Sequence, residues 1–255
     1  MSEIIIEPFV GGVKKKPAPN PTNWQFSAHP ACMATKDDTL PVAHSIKAKM
    51  PYVYKQIYGS CTANAVLSCD HYYYHTNKWH PSCTFTYHQA RVLDGSGKSK
   101  KDDGSSVECA LDAVRKYGAC SAEVWPNEKP FYKKPSKEAY ANGLKGHELT
   151  KYYQVKNLTQ IKKALFKDYP VAIAVAWCFK SIDGNTWILT PPSDEDIEEC
   201  YSGHAIVVVG YDDKSKLFEI RNSWSGQWGN GGYAFIDYAT MKKVIWFDDS
   251  YAVVR

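Results

Sequence analysis

The sequence predicts an α+β fold in which a helical front half and a strand-rich back half meet as two subdomains across a cleft. Three observations predict it. Apolar residues recur at helical intervals through the front half, most clearly in "SSVECALDAVRKYG". Beyond Pro170 the pattern changes to short β-branched runs bounded by Gly, Pro and Asp, the signature of antiparallel strands. A chain of 255 residues with 44% hydrophobic and 23% charged residues is large enough to bury a sizeable core within one domain. Segregated helices and strands leave a cleft where the two layers meet, and such clefts commonly hold sites.

Taken in order, residues 1–38 differ from the rest. "VKKKPAPNPTNW" holds three prolines and little periodicity, so the lead is expected to be extended and weakly structured, a short propeptide or a strap. Regular order is expected from "LPVAHSIKAKMPYV" onward, and residues 39–255 form the main domain. Within it, 39–148 are expected to be mainly helical, 149–245 mainly β, and 246–255 a terminal strap. From Cys61 to about Tyr74 small and apolar residues run without Gly or Pro, which predicts a helix. The next helix has Ser105 and Glu108 in capping-box spacing and stops at Gly118. A shorter one runs over 158–166 and ends at Asp-Tyr-Pro. "PVAIAVAW", "HAIVVVGY", "LFEIRNSW" and "GGYAFI" then read as strands.

Composition narrows the function. The net charge is +4 and the basic runs are short and mixed with acids, so no nucleic-acid stripe is present. The 18 Tyr and 8 Trp are read as core packing rather than a base-stacking surface. The opening "EIIIEPFVGG" lacks the basic region and long apolar run of a secretory signal, and no stretch reaches a membrane span. The expected setting is therefore cytoplasmic or virion-associated, without a membrane partner. Eight cysteines in such a chain are expected to be mostly unbridged, and with no CxxC pair they predict no metal site.

Two residues stand out chemically. In "QIYGSCTANAV", Cys61 falls where a helix should begin. That position suits a buried core thiol or a nucleophile whose thiolate the helix terminus favours. The second reading needs an imidazole. Of eight histidines, His71, His75, His80 and His88 lie on or after the first helix, and His29, His44 and His147 sit in loop-like sequence. His204 opens the very apolar run "SGHAIVVVGYDD" between Gly203 and Ala205, where a polar ring needs a reason, structural or catalytic. Eighteen residues on, Asn222 ends a strand and is followed by Trp224, Trp228 and four glycines. An amide there can accept an imidazole N–H, and an indole can keep water from that bond.

These three blocks, "GSC", "GHAIVVVGYDD" and "RNSWSGQWGNGGY", resemble the papain-like (cathepsin-type) cysteine proteases over about residues 39–255. The resemblance implies a helical left subdomain, a β-barrel-like antiparallel right subdomain and an active-site cleft between them. It implies Cys61 as nucleophile, His204 as its ion-pair partner and Asn222 as the residue holding His204, with Trp224 and Trp228 supporting. Gln56 would line the oxyanion hole, while Ser60, Gly104, Ser105 and Gly203 would contact an extended peptide. No metal or organic cofactor is implied; the partner is a peptide or protein substrate, and the chain is expected to be a monomer.

The sequence departs from the family in several places. Tyr58 stands where the family carries a bridging cysteine, and Thr62 stands where it carries tryptophan, as in the signal-less branch of microbes and large DNA viruses. Gln56 lies five residues before Cys61 rather than six. "TPPSDEDIEECYSGH" is an acidic insertion that either overhangs the cleft or is a solvated loop, and Cys200 either pairs with Cys32 or stays unbridged. Two other functions remain open: a narrow exopeptidase or processing enzyme, and a non-catalytic binding protein on the same scaffold.

Overall fold

The computed structural model describes residues 3–6, 12–14, 24–74, 78–145, 151–201 and 203–255. His75, His147 and part of the lead fall outside them. The helices are α1 (Pro30–Ala34), α2 (Cys61–Tyr72), α3 (Cys83–Leu93), α4 (Val107–Tyr117), α5 (Lys137–Gly143), α6 (Leu158–Phe166), α7 (Asp194–Glu198) and α8 (Tyr238–Val244). The strands are β1 (Glu3–Ile5), β2 (Ala43–Ser45), β3 (Lys151–Gln154), β4 (Val171–Ala176), β5 (Ser181–Asp183), β6 (Gly203–Asp212), β7 (Leu217–Arg221), β8 (Tyr233–Asp237) and β9 (Ile245–Val254).

The β-branched runs of the back half build an antiparallel sheet in the order β3-β9-β4-β6-β7-β8, with β2 added beside β6. The sheet stays open, with β3 and β8 at its ends, rather than closing into a barrel. β6 is buried along nearly its whole length because α2 packs on it, so its sequence is a continuous apolar run instead of an alternation. α2 is buried at every position and also packs on α3 and α4. The small residues of "CTANAV" make that close central packing possible.

Several expectations change. The N-cap of α4 is Ser106, whose hydroxyl accepts from the Cys109 N–H; Ser105 lies outside the helix and pairs elsewhere. Asp249 of β9 completes the cap, accepting from the Val107 and Glu108 N–H groups at 2.7 and 3.0 Å. Residues 246–255 are therefore no strap: all but Arg255 lie in β9, a central strand between β3 and β4. The front half also lends β2 to the sheet, pairing Ala43–Ser45 with Asp212–Gly210. The lead is anchored rather than weakly structured where it is described. β1 pairs with β5, Phe26 is fully buried, and Gln154 donates its N–H to the Trp24 carbonyl at 2.8 Å.

Candidate active site

Cys61 is the first residue of α2 and is buried at the positive end of that helix. The loop before it is fixed from the side. Asp102 accepts the Gly59 N–H at 2.9 Å and the Tyr87 hydroxyl at 2.6 Å, and Tyr87 in turn accepts the Gly104 N–H at 3.0 Å. The chain turns tightly at this point, the Ser60 N–H donating to the Tyr58 carbonyl at 2.6 Å, without a positive φ at Gly59. The glycine serves close approach instead. Ser60 spends its hydroxyl on the Tyr58 carbonyl and on Asn64, at 3.3 and 3.1 Å.

The start of β6, which carries His204, reaches Cys61 from the other subdomain: the Ala205 N–H bonds the Cys61 sulfur. His204 enters from β6 in register with Val175 of β4. Its Nε2 bonds Asn222 Oδ1 at 2.8 Å, and both residues are buried. With Oδ1 as the acceptor, Nε2 carries the proton and Nδ1 is the basic nitrogen. The Trp224 ring lies 4.9 Å from the imidazole at a 31° tilt, and Trp228 packs edge-on against Trp224. Trp177, just past β4, packs beside both, with its ring 4.8 Å from His204 and 5.2 Å from Trp224. The sequence reading used Trp177 only as the end of an apolar run.

Gln56 joins the two halves near this point. Its Oε1 accepts the Ser223 hydroxyl at 2.6 Å, and its Nε2 donates to the Tyr58 carbonyl at 2.9 Å.

Residues 12–14 run through the cleft as an extended strap. Ser105 donates its N–H to the Gly12 carbonyl at 2.9 Å and accepts the Lys14 N–H at 3.1 Å, a parallel pairing centred on Val13. On the facing side Val13 donates its N–H to the Gly203 carbonyl at 3.1 Å. Gly104, at φ +79°, packs so closely that a Cβ there would lie 1.8 Å from the Gly12 oxygen. The Gly12 backbone N–H points at the Cys61 sulfur, so the strap offers the thiol a donor. Gly104, Ser105 and Gly203, expected to contact an extended peptide, thus hold one from the chain itself. Surface hollows of about 440 and 670 Å³ lie beside Tyr211 and beside Tyr117.

Burial weighs on the charge state here. Burial pushes the Cys61 thiol up to about 12, against the backbone N–H groups of Ala205, Gly12, Thr62 and Cys61 itself that favour the thiolate. Burial also holds His204 down to about 4, against the Asn222 hydrogen bond that favours the charged ring. Burial therefore works against the expected thiolate–imidazolium pair in this covered state, since two charges away from water cost more than a helix terminus returns.

The remaining candidates take structural places. His71 meets the Tyr54 hydroxyl at 2.7 Å, and His88 meets the Phe131 carbonyl at 2.9 Å. None of the cysteines is bridged, and Cys200 lies beside Cys178 rather than Cys32. In the acidic insertion, Asp194 and Asp196 pair with Lys243 and Lys180. Among the described residues no cluster of His, Cys, Asp and Glu could hold a metal ion, and no helix is long and apolar enough to cross a membrane.

Comparison with known proteins agrees with this geometry. An uncharacterized peptidase C1-like protein of Acanthamoeba polyphaga mimivirus is 30% identical over 71% of this chain and 62% of its own length. The viral cathepsin of Spodoptera litura multicapsid nucleopolyhedrovirus is 26% identical over 57% of this chain and 42% of its own. The chain thus spans less than two thirds of these relatives. The fold is similar to that of xylellain, a cysteine protease from Xylella fastidiosa, with a TM-score of 0.77 at 22% identity over 98% of this chain and 100% of that one. It is also similar to the proform of the ragweed pollen cysteine protease Amb a 11, with a TM-score of 0.64 at 18% identity over 88% and 67%. The papain family cysteine protease profile matches residues 54–251, from Tyr54 before the Cys61 loop to Tyr251 in β9, and the chain belongs to that family.

Proposed function

We propose that this chain is a cysteine peptidase whose own residues 12–14 keep it latent. The reading is supported by the His204–Asn222 bond on the β6 side of Cys61 and by an extended peptide already lying against Ser105 and Gly203.

The chemistry follows from the atoms. With the strap displaced, a substrate peptide takes the Ser105 and Gly203 backbone groups. The Cys61 thiol passes its proton to His204 Nδ1, and the sulfur attacks the peptide carbonyl carbon. Negative charge moves to the carbonyl oxygen, where the Cys61 backbone N–H and the Gln56 amide are the donors. One such donor is worth roughly 3–4 kcal/mol of barrier in serine proteases. The C–N bond breaks, protonated His204 gives its proton to the leaving amine, and a thioester to Cys61 remains. Water, deprotonated by His204, then cleaves the thioester and restores the thiol. Asn222 keeps the ring turned for both transfers, and Trp224 and Trp177 keep water from the His204–Asn222 bond. As written, the reaction uses no metal or organic cofactor.

The test is digestion of a denatured protein by the full-length chain, with products mapped by mass spectrometry. Strap-released protein should cut the substrate, and Cys61→Ala and His204→Ala should abolish cutting. Equal cutting by the Cys61→Ala variant would sink the reading.

A further inference from the structure

Lys14 leaves the strap for a niche that is built in advance. Its Nζ lies 2.9 Å from Ser96 Oγ, 3.2 Å from Asp103 Oδ1 and 3.4 Å from Asp94 Oδ2. The niche is shaped by Arg91 of α3, which is fully buried. Its guanidinium holds Asp103 at 2.7 Å and donates to the carbonyls of Ser96, Ser99 and Lys101 at 3.2, 3.2 and 2.9 Å. Asp94 is oriented too: Oδ1 accepts the Ser96 N–H at 2.9 Å and the Ser96 hydroxyl at 2.5 Å, leaving Oδ2 toward the lysine.

Charge decides what such a niche takes. Arg91 and Asp103 offset one another, so Asp94 supplies the net negative charge that Lys14 meets. The Asp94 side chain is only 14% exposed, and a carboxylate buried to that degree without a counter-ion is costly. Departure of the strap removes Lys14 and leaves that charge in place.

Position decides where the next cation comes from. Gly12 faces the Cys61 sulfur, Val13 is centred on Ser105, and Lys14 is two residues out from the thiol. A substrate's acyl side extends toward its N-terminus, so it runs opposite to the strap and pairs antiparallel, one residue in the Val13 place exchanging both bonds with the Ser105 N–H and C=O. Its next residue outward then lies beside the 94–103 loop.

We propose that Asp94, Ser96 and Asp103 form a substrate subsite selective for lysine or arginine on the third residue of the acyl side, counting the residue of the scissile carbonyl as the first. This rests on the peptidase reading above and adds a substrate class to it.

The experiment uses full-length protein carrying Gly12→Leu and Lys14→Ala, which empties the cleft and the niche together. The probes are acetyl-X-Val-Gly acyloxymethyl ketones, with X as lysine, arginine, norleucine or glutamate. The Cys61 sulfur displaces the acyloxy group as a carboxylate and forms a thioether, so the rate of labelling reads peptide recognition. Lysine and arginine probes should label at least about tenfold faster than the norleucine probe, the range that charge-assisted hydrogen bonds give. The glutamate probe should be slowest. Adding Asp94→Asn should bring the lysine-to-norleucine ratio to within about twofold. If that variant does not fold, the same ratio should fall steeply with added salt in the parent protein.

Equal rates for lysine and norleucine, both well above iodoacetamide, would overturn the subsite and leave the niche an anchor for the strap alone. Labelling of Cys61 by iodoacetamide but by none of the peptides would overturn the peptidase reading and the subsite with it.

Discussion

Replacing Gly12 by leucine should open the cleft. A Cβ on Gly12 would lie 2.1 Å from the Gly59 carbonyl oxygen, and that backbone cannot move aside because Asp102 holds the Gly59 N–H. The strap contributes three backbone hydrogen bonds at about 1 kcal/mol each and a charge-assisted lysine contact of about 2 kcal/mol. Ordering a residue costs about 1–2 kcal/mol. Tethers at β1 and at Gln25 reduce that cost by keeping the segment close. The balance favours closure by on the order of 1–2 kcal/mol, about a five- to thirtyfold excess of covered over open cleft. Losing it should raise the iodoacetamide labelling of Cys61 at pH 7 by at least about fivefold. The thiol also regains water and leaves the region near 12 where burial holds it. Labelling would be mapped by mass spectrometry, with the half-buried Cys109 as internal reference. A variant with native circular dichroism and wild-type labelling at Cys61 would refute the reasoning, since the thiol would then be inert without the strap.

Three other perturbations test separate parts of the structure. In the Gly12→Leu background, Asn222→Ala removes the acceptor of His204 Nε2 and should lower kcat roughly 10–100-fold with little change in KM; steady-state kinetics showing kcat within twofold would contradict the orienting role. Asp70, buried on α2, has its carboxyl raised to about 7 by burial, with Arg255 opposing, so the fold favours the protonated acid. The stability this confers is present below about 3.8 and is lost as pH rises toward 7, so the advantage of Asp70→Asn should grow across that window. It should reach on the order of 4 kcal/mol at pH 8 in urea unfolding, and a constant difference between pH 4 and pH 8 would count against it. Arg91→Met takes the buried guanidinium from half-buried Asp103 and leaves several loop carbonyls without their donor, and should destabilise the protein by about 3 kcal/mol, seen as a lower Tm; an unchanged Tm would mean the 94–104 loop holds itself.

How much could be read from the chain depended on how local the physics was. α6 matches its expected 158–166 span because amphipathic spacing, Asn157 as cap and the Asp-Tyr-Pro stop all act within a few residues. α3 was missed because it is buried on nearly all sides, which erases the apolar-polar alternation that marks a helix. β9 was misread as a strap because Asp248 and Asp249 interrupt its apolar run, yet Asp249 is there to cap α4 from across the molecule.

The sequence by itself determined the family blocks, the α+β segregation and the candidacy of Cys61, His204 and Asn222, because residue type and spacing are written in one dimension. Only the tertiary structure decided how they stand. The strap over Cys61, the acidic niche around Lys14 and the buried thiol all arise from residues far apart in the chain brought within a few ångströms. Burial, which no local pattern carries, weighs on their charge.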